Sequence, residues 1–333
     1  MAPARRVAVT VPGWPEVRST IELIKWAESN GYTDAWFGDS GAPDSLTQAA
    51  AVAQHSTTIR IGIAATPVYT RSPSVIAASV YTVGQLLPGR FVMGIGSSSQ
   101  TMMGRWNGIP LDKPLTRVRE TAELVRSMLA GARTDFSGAT LQSHGYRQPP
   151  LENPPPIYIA ALRPKMIEMA AEVGDGVIFN LWPKSALPRM VEHVRAGAER
   201  GGKNPEEVEV VHRAMVLATD DKPAARNLFR AAFAPYYATP VYNRFLAWAG
   251  YPDVADTITE GWARKDRAMT TGALSDELID EIAVIGTEDE IHRRFQEHAE
   301  MGVHTHIVAP LGASQADMDR TFAAFTAKNF RFE

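Results

Sequence analysis

Asp39 and Ser40, closing the run TDAWFGDS, are the first side chains in this sequence whose types suit chemistry. A carboxylate beside a hydroxyl at the end of a short apolar run can hold or move a proton, or it can cap the backbone of the next loop. Four further sets close similar runs: Ala64-Ala65-Thr66, Gly96-Ser97-Ser98-Ser99, Ala160-Ala161-Leu162-Arg163 and Asn180-Leu181-Trp182. The first such run ends at Trp14. These sets are small, polar and poor in strong acids, bases and nucleophiles. Small residues let a flat ligand approach the backbone, and hydroxyls and amides hydrogen-bond its edges. A site built this way suits a cofactor that brings its own reactivity.

Other local patterns point elsewhere or nowhere. GIGSSS (94–99) lacks the third glycine of a dinucleotide turn and has no clean helix after it, so it reads as a strand-end turn. IAALRPKMIEMA runs from a strand into a helix with Pro164 in its first turn. The free N–H groups there, beside Arg163 and Lys165, suit a phosphate; a solvated helix start with two surface cations is the other reading. His304 and His306 flank Thr305 on a strand and share a face, but neither an acid nor a third histidine joins them. They read as structural, and no metal site is expected. Neither a G-x-S-x-G elbow nor a P-loop occurs.

Composition narrows the class. The 333 residues include no cysteine, which excludes disulfides, thiolate metal sites and a thiol nucleophile. Lys+Arg number 34 and Asp+Glu 37, a net charge of −3, so there is no basic field for nucleic acid. No apolar run approaches the roughly 20 residues of a membrane span. The start, MAPARRVAVTVPGW, is broken by Thr10, Pro12 and Gly13 and is too short for a signal peptide. A soluble cytoplasmic protein is expected.

Eight β-branched or aromatic runs alternate with helical patterns: 5–11, 33–39, 58–66, 90–96, 156–162, 175–180, 208–218 and 303–310. Between them, Ile76, Val80, Val83 and Leu87 share one helical face, introduced by Ser72 and Pro73 as cap and first turn. Leu115, Val118, Ala122, Val125 and Leu129 mark a second helix, and Met166, Met169, Ala170 and Val173 a third. Eight strand–helix units close naturally into a parallel barrel, whose loops after the strands build the site. The class is therefore α/β, a (β/α)8 TIM barrel in a single domain over 1–333. Two segments interrupt the repeat. Residues 131–156, rich in Gly, Ser and Pro, suggest a small hairpin; residues 234–285, rich in aromatics, suggest a helical insertion before the last strand.

The segments GYTDAWFGDS, IRIGIAATPVYTRSPSVIAAS, QLLPGRFVMGIGSSS, RWNGIPLDKPLTRVRE and PPPIYIAALRPKMIEMAAEVGDGVIFN resemble, in order, the bacterial luciferase-like monooxygenase superfamily. More narrowly they resemble its branch that uses coenzyme F-420, an 8-hydroxy-5-deazaflavin. The resemblance implies a homodimeric barrel enzyme that moves hydride between deazaflavin C5 and a small organic substrate, which the aromatic composition of the insertion suggests is apolar. Carried over by position, Asp39 would contact the ring, with Asp39 and Ser40 as catalytic candidates. Ala64, Ala65 and Thr66 would back the ring, with a non-prolyl cis peptide at Ala64–Ala65. Gly96, Ser97 and Ser98 would line its pyrimidine side, and Ala161, Leu162 and Arg163 would offer amides to the cofactor phosphate.

Departures from the branch matter. Ser40 replaces the histidine of the sugar-phosphate dehydrogenases, and Ser99 stands where they have a glutamate, so hexose-phosphate oxidation is not expected. Ser99, Trp106, Trp182 and Tyr242 would line an apolar substrate cavity, with Asp39, Ser40, Tyr69 and Tyr242 all conceivable proton donors. The alternatives are an FMN-dependent monooxygenase supplied by a partner reductase and a non-catalytic flavin-binding protein.

Overall fold

The eight apolar runs become strands that bury both faces, one toward a barrel interior and one toward a surrounding helix. The computed structural model describes residues 2–11, 16–312 and 314–333. Its barrel strands are β1 (Arg6–Thr10), β2 (Asp34–Phe37), β3 (Arg60–Ile63) and β4 (Phe91–Gly96), then β5 (Ile157–Ala160), β6 (Gly176–Asn180), β7 (Glu209–Ala218) and β8 (Thr305–Pro310). Neighbours pair in parallel, and β8 returns to β1, so the sheet closes into the expected (β/α)8 barrel. Trp14, the expected end of the first strand, lies outside the described residues.

Helices α1 (Val17–Ser29), α2 (Ser45–Ala53), α3 (Pro73–Leu86), α4 (Pro114–Leu129), α5 (Pro164–Val173) and α6 (Leu187–Arg200) follow β1 to β6 in turn. α3 begins as its sequence dictates: the Val75 N–H donates to Ser72 Oγ at 3.4 Å, with Pro73 in the first turn. Its apolar stripe, Ile76, Val80, Val83 and Leu87, is buried against the barrel. Between α4 and β5, Asp135–Ser137 pairs antiparallel with Gln142–His144, the hairpin expected there.

After β7 come α7 (Lys222–Tyr237), α8 (Pro240–Trp248), α9 (Pro252–Ala263), α10 (Arg267–Gly272) and α11 (Asp276–Ile282). This helical insertion has its own apolar cluster, in which Phe229, Leu246 and Ile279 pack with Leu181, Met215 and Leu217 from the ends of β6 and β7. A short strand, Val284–Gly286, then pairs with the end of β7. α12 (Glu288–Glu300) precedes β8, and α13 (Gln315–Ala324) follows it.

Strand alternation sorts the interior into layers. Ala8, Trp36, Val92, Tyr158, Val211 and Ile307 form an apolar middle. Trp36 fits only because β3 carries Gly62, where a Cβ would stand 2.5 Å from its ring. Below, at the N-terminal end, Glu209 accepts from Arg60 at 2.7 and 2.9 Å and from the Tyr158 and Thr305 hydroxyls at 2.5 Å each. Arg60 also pairs with Asp34. Burial alone would raise Glu209, but Arg60 and these donors outweigh it and bring its carboxyl down to about 2. That end is a closed unit of matched charges. The opposite end, where the strands stop, carries the loops.

Candidate active site

β2 ends two residues before Asp39, whose buried carboxylate is gripped by Arg71: Nη1 donates to Oδ2 at 2.7 Å. Arg71 also pairs with Asp44, which caps α2 by accepting from the Thr47 N–H at 2.8 Å. Burial opposes the charge on Arg71, but its bonds to the two carboxylates win and raise its pKa. Asp39 is thereby fixed in place, with Ser40 exposed beside it. Arg71 escapes sequence reading because it lies in the loop after another strand, 32 residues on.

The next strand ends supply a floor. Ala64 and Ala65 are joined by a cis peptide bond, as expected, and Thr66-Pro67 pair with Ile95-Gly96. Thr66 is buried and its Oγ1 has no hydrogen-bond partner. A Cβ on Gly96 would stand 3.2 Å from the Ala160 Cβ and 3.6 Å from that of Ala65, so these small groups converge. Ser97 is partly buried. Ser98 takes a left-handed backbone (φ 62°) and turns its hydroxyl to the Met102 sulfur at 3.3 Å. Ser99 accepts from the Met102 N–H at 3.3 Å, so its hydroxyl serves the wide helical turn Thr101–Trp106. Trp106, ending that turn, is 62 % exposed, too open to wall an enclosed cavity. Tyr69 donates to the Asp112 carbonyl at 2.5 Å.

At β5 one expectation fails. The Ala161 N–H already donates to the Ile178 carbonyl at 3.1 Å, continuing the strand pairing, and is not free for a phosphate. The N–H groups of Leu162 and Arg163 make no hydrogen bond among the described residues. Arg163 is exposed and begins α5 without a side-chain cap.

The β6–β8 side holds what the sequence hid. Asn180 and Arg213 are register partners on β6 and β7, and Arg213 faces inward because Val211, two residues before it, does. Asn180 Nδ2 donates to Tyr242 Oη at 3.0 Å, which brings this residue of α8 to the barrel mouth. Tyr236 and Tyr237 meet the Tyr242 ring edge-on, each 6.0 Å away. Tyr237 is pinned by its own hydroxyl, which donates to the Leu181 carbonyl at 2.9 Å.

Trp182 goes the other way. Leu181 takes a left-handed backbone (φ 53°), and the Trp182 ring lies behind the barrel wall, 1 % exposed, 4.3 Å from His212 and 5.0 Å from His298 of α12. His306 completes this layer, 6.4 Å from His212 and 6.3 Å from His298. All three histidines are buried, and both ring nitrogens of His298 and His306 lack partners. Burial, with Arg213 nearby, pushes His212 down to about 3. His304 has a different task, its Nδ1 accepting from the Val210 N–H at 3.0 Å. No group of three or more acids and histidines among the described residues has metal-holding geometry. The mouth is therefore not the apolar cavity its aromatics imply: one tryptophan packs behind the wall, another is on the surface, and a cation points inward.

The stretch from β1 to the start of β8 matches the model of a known family. The model for luciferase-like monooxygenases covers residues 1–305. The chain belongs to that family. Among luciferase-like relatives, the 5,10-methylenetetrahydromethanopterin reductase of Archaeoglobus fulgidus is 29 % identical over 296 residues, 87 % of this chain and 89 % of the relative. The F-420-dependent glucose-6-phosphate dehydrogenase of Mycolicibacterium gilvum is 31 % identical over 232 residues, 63 % of this chain and 68 % of the relative. The solved coenzyme F-420-dependent tetrahydromethanopterin reductase of Methanopyrus kandleri shares the fold, with a TM-score of 0.82 over 97 % of this chain and 98 % of that one, at 20 % identity. Like its relatives, this luciferase-like chain is an oxidoreductase, and no helix among its described residues is long and apolar enough to cross a membrane.

Proposed function

We propose that this luciferase-like protein is a coenzyme F-420-dependent oxidoreductase acting on a small organic substrate. The observation that carries the reading is the floor at the barrel mouth: Ala65, Gly96 and Ala160 keep it flat, and the buried Thr66 hydroxyl, next to the Ala64–Ala65 cis peptide, has no partner among the described residues. A planar ring with polar edges fits such a floor, and the names of the relatives favour the deazaflavin over FMN. When bound, the deazaflavin supplies hydride chemistry at C5.

This chain's part is to bind, orient and exclude water. Arg71 holds Asp39 at one border of the floor, where the carboxylate can accept from a ring N–H. The N–H groups of Leu162 and Arg163, at the start of α5, are donors for the anionic cofactor side chain. α8 brings Tyr242 over the opposite border, and its hydroxyl is the proton-bearing group best placed toward a substrate. The assembly expected is a homodimer, which light scattering reads directly.

The test is a paired titration of the purified protein with oxidised F-420 and with FMN, followed by ligand fluorescence. Micromolar or tighter binding of F-420, with FMN much weaker, is the expected result. The reverse preference would move the protein to the oxygen-using side of the family and overturn the reading.

A further inference from the structure

Arg60 and Arg213 both point into the barrel interior, and they are treated in opposite ways. Arg60, at the N-terminal end, is neutralised by Asp34 and Glu209. Arg213, at the C-terminal mouth, pairs with no carboxylate among the described residues; its Nη1 donates only to the Met215 sulfur, at 3.7 Å. Burial pushes its pKa below the usual arginine value, and only the Tyr236 and Tyr242 hydroxyls lie in range to offset that. Beside it, Asn180 donates to Tyr242 Oη, which leaves the Tyr242 hydroxyl hydrogen free. A guanidinium and a hydroxyl thus stand together as donors with only neutral acceptors beside them, the Met215 sulfur and the unpartnered Asn180 Oδ1.

A desolvated cation without a counter-ion costs stability until an anion joins it. One guanidinium matches one planar carboxylate through two parallel N–H···O bonds, with a lone pair left over for the tyrosine. A dianionic phosphate would call for a second cation, and the groups in range of Arg213 are tyrosines. We propose that Arg213, with Tyr242, anchors a carboxylate on the substrate, so that the enzyme takes small organic acids. That this acid is the substrate rests on the deazaflavin reading above; the anion site stands on the geometry of β7 and α8.

The test is calorimetric titration of acetate, crotonate and benzoate, each beside its neutral amide, into protein carrying oxidised F-420. Binding of F-420 itself is measured separately by fluorescence. At least one acid should bind about 30-fold or more tighter than its amide, a preference lost in Arg213→Met and partly kept in Arg213→Lys. Without added acid, Arg213→Met should melt at the same temperature as the wild type or higher, because it removes a partly buried charge that has no counter-ion; a purely structural arginine would lower it. No acid preference in a wild type that binds F-420 would overturn the proposal and leave the cofactor reading standing. A wild type that fails to bind F-420 would overturn that reading, and the acids can then be titrated into the bare chain. Tighter binding of inorganic phosphate than of any acid, or loss of F-420 affinity in Arg213→Met with acid binding unchanged, would also overturn the anchor.

Discussion

Lowering the pH from 7.5 to 5.5 should destabilise this protein by about 4 kcal/mol through His212, His298 and His306 alone. Each ring is neutral in the fold, because burial above all, and neighbouring rings and cations after it, hold its pKa below the usual 6.5. For His212 the value is about 3. In the unfolded chain the same rings titrate near 6.5. The unfolded state therefore takes up protons that the folded state refuses, so this stability is present above pH 6.5 and lost as the pH falls. Integrated over the two units, each ring contributes about 1.4 kcal/mol, and the three together about 4. Glu209 and Glu28, with carboxyls at about 2, add their own loss at more acidic pH, from about pH 5 downward, as the unfolded carboxyls protonate and the folded ones do not. The assay is urea unfolding at pH 7.5 and 5.5 for the wild type and for His306→Phe, whose ring would sit among Phe295 and Phe332, 4.9 and 5.0 Å from the present imidazole. The variant should lose about 1.4 kcal/mol less than the wild type between the two pH values. Equal losses in both proteins would mean that His306 carries its proton in the fold, and the reasoning would fail.

Three further perturbations separate scaffold from site. Glu209→Gln breaks the matched charges at the closed end of the barrel and should cost about 3 kcal/mol in urea unfolding, with F-420 affinity unchanged. Arg71→Met should cost about 2 kcal/mol, less because Arg71 is partly solvated, and should weaken F-420 binding, with Arg71→Lys recovering part of both. Gly96→Ala puts a methyl group into the floor, 3.2 Å from the Ala160 Cβ and so tight enough to push it by a few tenths of an ångström, and should reduce F-420 affinity tenfold or more at a modest cost in stability, whereas Gly94→Ala would drive a Cβ to 1.8 Å from the Ile63 carbonyl and should prevent folding. Soluble expression and thermal melts distinguish the last two.

The barrel is legible in the sequence because its signals are local. Eight short apolar runs, the Ser72-Pro73 cap and the helical stripes each lie within about a dozen residues, and the structure keeps all of them. Asp39 and the small residues of β3 to β5 could be placed at strand ends by the same local logic. What could not be read needs either strand register or the parity of side chains along a strand. His212 and Arg213 are adjacent, yet one faces the outer helices and the other the barrel interior. Only the pairing of Val211 into the inner cluster decides which is which. The left-handed residue at Leu181 likewise sends Trp182 behind the wall, and nothing in that leucine announces it. Arg71 finds its partners in the loop between β2 and α2, and the Ala161 amide finds its own on β6, which a linear pattern does not reveal.

The helical insertion carries an apolar cluster of its own at the ends of β6 to β8, while Phe245 of α8 and Ala249 join the main barrel core and Trp248 packs against Arg189 and His193 of α6. The mouth is thus assembled from two parts, a floor set by strand ends and a roof set by helices. The floor at β2 to β5 belongs to the barrel and cannot change without disturbing strand packing, whereas most of the roof packs within its own cluster and is tied to the barrel core through Phe245 and Ala249. Grafting the α7–α11 segment of a relative onto this barrel would then transplant substrate preference while cofactor choice stayed with the recipient. A lineage built this way can diversify what it consumes by recombining one contiguous stretch of coding sequence.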